Sequence, residues 1–369
     1  MRRIRLRSFT LIVLAGCLLA GGWFGMPLAH AQATSGTAFS LTTSPIFATL
    51  TTTPGGQIST PLKVQNNAQH AVTLNVKLMK FRAYGGSGDA ELLNPDGNDP
   101  SLKWVSFSAT TIVAQPGAWN TVTMTIRPDR TAAFGYYYAV VFTQAGSAAS
   151  QLPQHANTVA GSSAVLVLVD VQVPGEKRQL AVTGFKPQHN VVEFLPATFD
   201  IAVKNTGDVY GSATGDVYVS RSRSSKNTLA VIPVNQGQGN VLPGSSRTFT
   251  AVWGDGFPAR VVKRVGGQIV TAKNGQPETQ LSWDASKLNK LRFGHYYAHL
   301  LLVYNNGKQD VPIEAETSFW VIPWRPLLAL LVLLALVLFG LVTVLRRGVR
   351  LGRKVAAHAK KQPKSKPEA

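Results

Sequence analysis

The sequence predicts an all-β protein of two tandem immunoglobulin-like β-sandwiches followed by one transmembrane helix. Three observations lead there. Short runs of alternating apolar and polar residues recur between Gly and Pro turn signals. One set of strand and turn signals occurs twice in the same order. Close to the C-terminus, Leu327 to Leu345 carries no charge, and at about 1.5 Å per residue it nearly crosses a hydrocarbon core of roughly 30 Å.

The chain begins MRRIRLR, with four arginines, and continues into the apolar stretch Phe9 to Leu19. Ala29-His30-Ala31 then sets small residues at −3 and −1 before Gln32. A basic start, an apolar middle and an A-x-A site make a secretory signal peptide over 1–31, cleaved between Ala31 and Gln32. LAGC, Leu14 to Cys17, holds the single cysteine and has the form of a lipobox. Cleavage there would leave LLAGGWFGMPLA at the mature N-terminus, where a solvated tether is expected. Cleavage after Ala31 leaves the polar QATSGTAFS and discards Cys17, so no disulfide or thiol chemistry remains.

Domain 1 is expected over 38–174 and domain 2 over 178–322, with the break at Pro174-Gly175. KVQNNAQHAVTLNV in the first copy parallels IAVKNTGDVYGSATGDV in the second. QPGAWNTVTMTI parallels LPGSSRTFTAVW, and FGYYYAVVF parallels FGHYYAHLLLVY. Asn66-Asn67 and Asn205-Thr206-Gly207 read as turns that tolerate positive φ. Pro116-Gly117 and Pro243-Gly244 read as type II turns. Tyr137 and Tyr296 fall at matching places after Phe-Gly, where a tyrosine corner ties its hydroxyl to the backbone. The second copy holds about 30 extra residues, read from their turn signals as a hairpin inserted near 258–290. The first copy has instead a long small-residue loop, QAGSAASQLPQHANTVAGSS, between its last two strands.

The transmembrane helix is expected over 325–345, with Trp320 and Trp324 at interface depth and a basic tail over 346–369. The positive-inside rule puts that tail in the cytoplasm and the N-terminal part outside, as a single-pass protein of the cell membrane. The net charge of +19 follows largely from this topology. Setting aside four basic residues of the leader, and ten basic and one acidic residue of 325–369, leaves 23 basic and 17 acidic residues from totals of 37 and 18. A net of +6 on the ectodomain is weak support for nucleic acid, and no nucleic-acid partner is expected.

Motifs for chemistry are sparse. G-x-S-x-G, H-E-x-x-H and P-loop patterns are absent, so no enzyme activity and no cofactor are expected. His295 and His299 share a strand face without a third ligand, so no metal is assigned. Asp96 to Asp99 lies in a Pro-Asp-Gly turn with part of a calcium-loop pattern but no closing Glu. Gly85 to Gly88 reads as a flexible loop. The candidate partner-binding residues are Arg260, Lys263, Arg264 and Lys273 on the insert, set against Glu278, and Trp104 and Trp119 as sugar-stacking or protein-contact aromatics.

The order of signal peptide, two sandwiches, membrane helix and basic tail resembles the WxL-interacting proteins of Gram-positive bacteria. The matching stretches are WVSFSATTIVAQPGAWNTVTMTIRP with FGYYYAVVF, then FGHYYAHLLLVY and ETSFWVIPW. The resemblance implies a peptidoglycan-binding first domain and a second domain that binds WxL surface proteins. The inserted hairpin departs from that pattern. Domain 1 also looks like a pilus-chaperone sandwich. The expected function is therefore a membrane-anchored, non-enzymatic surface protein that binds a cell-wall polymer or another surface protein. The alternative is an extracytoplasmic assembly factor acting by strand addition.

Overall fold

The computed structural model describes residues 40–146, 162–223, 227–272 and 275–359, with the backbone alone for 350–359. The signal segment with Cys17, Ala31 and Gln32, most of the small-residue loop, Lys273 and the end of the tail lie outside the described residues.

The first sandwich contains β1 (Leu41–Ser44), β2 (Phe47–Thr52), β3 (Ile58–Asn66), β4 (Val72–Tyr84), β5 (Asp89–Leu93), β6 (Val105–Phe107), β7 (Thr111–Ala114), β8 (Trp119–Ile126), β9 (Phe134–Gln144) and β10 (Ser162–Val171). One sheet runs β1-β3-β8-β6 and the other β2-β10-β9-β4-β5, with β7 on β4. The chain changes sheet at Pro45, so that β1 pairs antiparallel with β3 while β2 lies parallel to β10. Between the sheets, Leu62, Leu74, Met124, Tyr138 and Phe142 are fully buried.

The second sandwich contains β11 (Leu180–Pro187), β12 (Val191–Val192), β13 (Ala197–Asn205), β14 (Thr214–Ser220), β15 (Thr228–Val234), β16 (Ser246–Trp253), β17 (Ala259–Val262), β18 (Arg264–Val265), β19 (Gln268–Ile269), β20 (Thr279–Ser282), β21 (Gly294–Asn305) and β22 (Asp310–Val321). Its sheets run β11-β13-β16 and β12-β22-β21-β14-β15. The core is aromatic. Trp253 meets Tyr296 edge-on at 5.1 Å, and Phe199 meets Phe319 at 5.2 Å. Burying one such ring is worth about 1.5–3 kcal/mol. In the insert, β17 pairs with β20 and β18 with β19 around Gly266-Gly267, both at positive φ. A 3₁₀ turn, Ala285–Lys290, follows.

Helix α1 (Trp324–Ala359) begins directly after β22. Residues 324–349 are long and apolar enough to cross a membrane. Leu328, Leu334, Leu338 and Leu345 stand exposed around it. The Thr343 hydroxyl donates to the Phe339 carbonyl at 2.6 Å, which satisfies it within the helix.

The duplication is visible atom by atom. Asn66 closes β3 and Asn205 closes β13, both fully buried. Asn66 Nδ2 donates to the carbonyls of His70 and Ala114, and its Oδ1 accepts from Ala68 N–H. Asn205 Nδ2 donates to Val209 and Val241, and its Oδ1 accepts from Gly207 N–H. Neither Asn is a positive-φ turn residue, as the sequence reading had it. Each staples three loop groups from inside. The Pro-Gly turns do place Gly117 and Gly244 at φ 69° and 70°.

The tyrosine match needs correcting by one residue. Tyr296 lies in the core and its hydroxyl accepts from Phe293 N–H at 3.1 Å. Its counterpart is Tyr136, whose hydroxyl accepts from Ala133 N–H at 3.4 Å. The positive-φ position two residues earlier is Phe134 in one copy and Gly294 in the other. The two Phe-Gly pairs are thus offset by one. Because side chains alternate in a strand, that offset sends Tyr137 out of the sandwich.

Candidate binding cleft between the sandwiches

The outward face of the larger first sheet is apolar, which a solvated face would not be. Met79, Phe81, Leu92, Val141 and Leu168 form a second buried cluster there, and Tyr210 and Leu242 of sandwich 2 pack against it. Tyr137 belongs to this cluster, and burial pushes its hydroxyl well above the usual tyrosine range.

Polar contacts also fix the sandwiches together, the Tyr210 hydroxyl of sandwich 2 with the Thr49 side chain of β2 among them. Gly85 to Gly88 is the tight β4–β5 turn, with Gly85 and Gly88 at φ 58° and 90°. Its Gly86 carbonyl accepts from Thr248 N–H of edge strand β16 at 2.6 Å. The stretch expected to be a flexible loop is a docked turn. Another contact is ionic. Asp170, at the end of β10 with a side chain only 1% exposed, bonds Arg178, which also holds Glu176 at 2.6 Å. Burial raises the Glu176 carboxyl, as does the neighbouring Asp170 charge, against the pull of Arg178.

Beside these contacts lies a cavity of about 290 Å³. Ile46, Phe47, Leu166 and Leu168 line it from sandwich 1, and Leu242 and Arg247 from sandwich 2. Arg247 lies between Gly88 and Gly239: a Cβ on Gly88 would stand 2.3 Å from its Cζ, and one on Gly239 2.9 Å. It donates to the Asn240 carbonyl at 3.1 Å and covers the Phe249 ring at 5.2 Å. Its Nε is buried without a hydrogen-bond partner among the described residues. Burial lowers its pKa, while Asp89 pulls the other way. A guanidinium stays charged regardless, so the cleft has an apolar wall and a cation with an unused donor.

The mouth of the cleft is the edge strand β2, whose only neighbour in the sheet among the described residues is β10. Ile46 carbonyl accepts from Leu166 N–H, and Thr52 carbonyl from Gln172 N–H. In a parallel pair alternate residues bond the neighbour, so the backbone groups of Phe47, Thr49 and Thr51 face the open side. Ile46 and Phe47 are 75% and 45% exposed there.

The residues singled out from sequence lie elsewhere. Trp104 is packed on the first core, edge-on to Tyr136 at 4.8 Å. Trp119 opens β8 and is about half exposed. Arg260 pairs with Glu193 at 3.8 Å and Lys263 with Glu278 at 3.1 Å, while Arg264 reaches the Gly267 carbonyl at 3.4 Å. The basic run therefore meets two carboxylates, one of them distant in sequence. His295 stacks on Trp320 at 4.6 Å, and His299 Nδ1 lies 4.0 Å from Glu316. Asp99 is occupied by Lys80 at 2.7 Å and by Ser101. No group of three or more metal-ligating side chains forms among the described residues. Sequence reading passed over Arg247, although it stands where the first copy has Asn120, four residues after the paired Pro.

No protein-family model matches the sequence, and no curated protein matches it significantly. Among solved structures, it is similar to the class 5 fimbriae chaperone CfaA at 12% identity and a TM-score of 0.34, over 74% of this chain and 97% of that one. A chain from a chaperone–tip adhesin complex of CFA/I fimbriae gives 10% and 0.34, over 76% and 98%. The E. coli chaperone DraB gives 11% and 0.31, over 75% and 96%. At these values the likeness assigns no function.

Proposed function

We propose that this chain is a non-enzymatic binding protein held by α1 in the cell membrane, with both sandwiches outside and the basic tail in the cytoplasm. Its partner is a protein that adds an extended segment to the open edge of β2. Apolar side chains of that segment enter the cleft, and an anionic group meets Arg247. The observation that carries this is the continuity of a strand edge, unpaired among the described residues, with an apolar cavity holding a half-buried guanidinium whose Nε has no partner there. Main-chain pairing supplies affinity in strand addition, and pockets for alternate side chains supply specificity. The reading keeps the surface-protein partner expected from sequence and moves its contact from the insert to the cleft. A glycan partner remains attached to Trp119, whose half-exposed ring suits stacking on a sugar.

Photo-crosslinking in the native membrane tests it. A benzoylphenylalanine at Phe47 should form a discrete protein adduct, while one at Val231, exposed on edge strand β15, should not. Thr49→Pro, which removes an N–H on the open side, and Arg247→Met should each abolish the adduct. An adduct that survives both changes, or forms equally at Val231, would overturn the proposal.

A further inference from the structure

The insert of sandwich 2 leaves apolar side chains in water that no core explains. Val265, Ile269, Trp283, Leu288, Leu291 and Phe293 are 64%, 47%, 64%, 61%, 56% and 50% exposed. Basic residues are interspersed with them. Described residues 255–272 and 275–293 hold six basic and three acidic side chains. Exposed apolar surface of this extent marks a contact.

The position of the patch identifies what it contacts. Glu193, its side chain 10% exposed, pairs with Arg260 of β17 and with Arg325 in the first turn of α1, at 3.5 Å. Arg260 N–H donates to the Leu195 carbonyl at 2.7 Å, and Phe257 N–H to Lys290. Val191, 55% exposed, pairs with Trp320, and Trp320 and Trp324 are exposed just before the apolar helix. The insert is thus bonded to the end of the sandwich from which α1 leaves.

We infer that the described insert with its flanks, 255–272 and 275–293, is a membrane-surface platform that rests on the lipid headgroups of the outer leaflet. The inference rests on the reading that α1 spans that membrane. Aromatic side chains with one wet end favour the headgroup zone, and lysines and arginines among apolar side chains complement anionic lipid. Seated this way, the platform and α1 hold sandwich 2 at two points, which sets the direction in which the cleft faces.

The test uses the full chain in nanodiscs, carrying Cys17→Ser and one fluorophore-labelled cysteine at a time: Val265→Cys, Leu288→Cys, Val231→Cys or Leu336→Cys. The discs contain phosphatidylcholine and phosphatidylglycerol, with a spin label either near the headgroup or at the acyl-chain end. Labels at 265 and 288 should lose emission most to the headgroup quencher, since interfacial groups sit about 5–10 Å deep. The label at 336 should lose emission most to the chain-end quencher, and the label at 231 to neither. If 336 is quenched while 265 and 288 behave like 231, the platform is refuted and the anchor stands. If 336 is unquenched, both fall.

Discussion

Replacing Asn205 by alanine removes three hydrogen bonds from the interior of sandwich 2. The Val209 carbonyl loses its donor and Gly207 N–H its acceptor, while the Val241 carbonyl keeps Gly211 N–H at 3.1 Å. Asn205 is 1% exposed, so water does not replace the lost partners without opening the loops. A buried group left unsatisfied costs about 1–3 kcal/mol. Two such groups, partly relieved by relaxation, give about 2–4 kcal/mol, against the roughly 5–15 kcal/mol that holds an ordinary domain. For a sandwich of this size that lowers Tm by roughly 5–15 °C. Asn66→Ala should cost as much in sandwich 1. The assay is urea and thermal unfolding of the detergent-solubilised chain, followed by tryptophan emission. Trp253 reports the second core, and Trp104 the first. The control is Asn120→Ala, whose side chain makes only a 3.4 Å bond to its neighbour's carbonyl on the surface. If Asn205→Ala and Asn66→Ala destabilise no more than Asn120→Ala, the buried staple is not what holds these loops.

Gly88→Val sets a branched side chain at φ 90° against the Arg247 guanidinium. It should open the cleft and speed hydrogen exchange at Thr248 N–H while leaving exchange within each core unchanged. Burial alone would raise the Asp99 carboxyl, but Lys80 and Ser101 outweigh it and hold it below the ordinary range. The stability it confers is present above the unfolded value and is lost as pH falls through the lowered native one. Asp99→Asn should therefore flatten the acid limb of urea midpoints for sandwich 1. Glu176 carries the opposite sign: its raised pKa means that stability falls as pH rises from 4.5 through the native value. Glu176→Gln should remove that component from midpoints taken across this window. Leu336→Arg, mid-helix, adds about 2.5–3.5 kcal/mol to insertion and should shift the chain from the membrane fraction to the soluble one.

Much of the fold was legible because its causes are local. Alternation in TPLKVQN and AVLVLVDV marks one face of each strand as buried, and the Pro-Gly pairs carry their own turn geometry. The cleft was illegible for the converse reason. Nothing near Arg247 says that it will lie against Gly88, more than 150 residues earlier. Gly85 to Gly88 reads as loose until Thr248 N–H binds it. Asn66 and Asn205 look like surface turn residues until the carbonyls of Ala114 and Val241 come within reach of their amides.

By itself, then, the sequence determined the all-β class, the duplication and the one apolar helix, since period, turn chemistry and an uncharged run act over a few residues. Tertiary structure alone decided that Tyr136, one place from Tyr137, answers Tyr296. It also decided that the outer face of the β2-β10-β9-β4-β5 sheet is covered by sandwich 2, and that Glu193 joins the insert to α1. Those outcomes depend on strand register and on which distant groups meet. A shift of one residue inverts every face of a strand while leaving its local pattern almost unchanged.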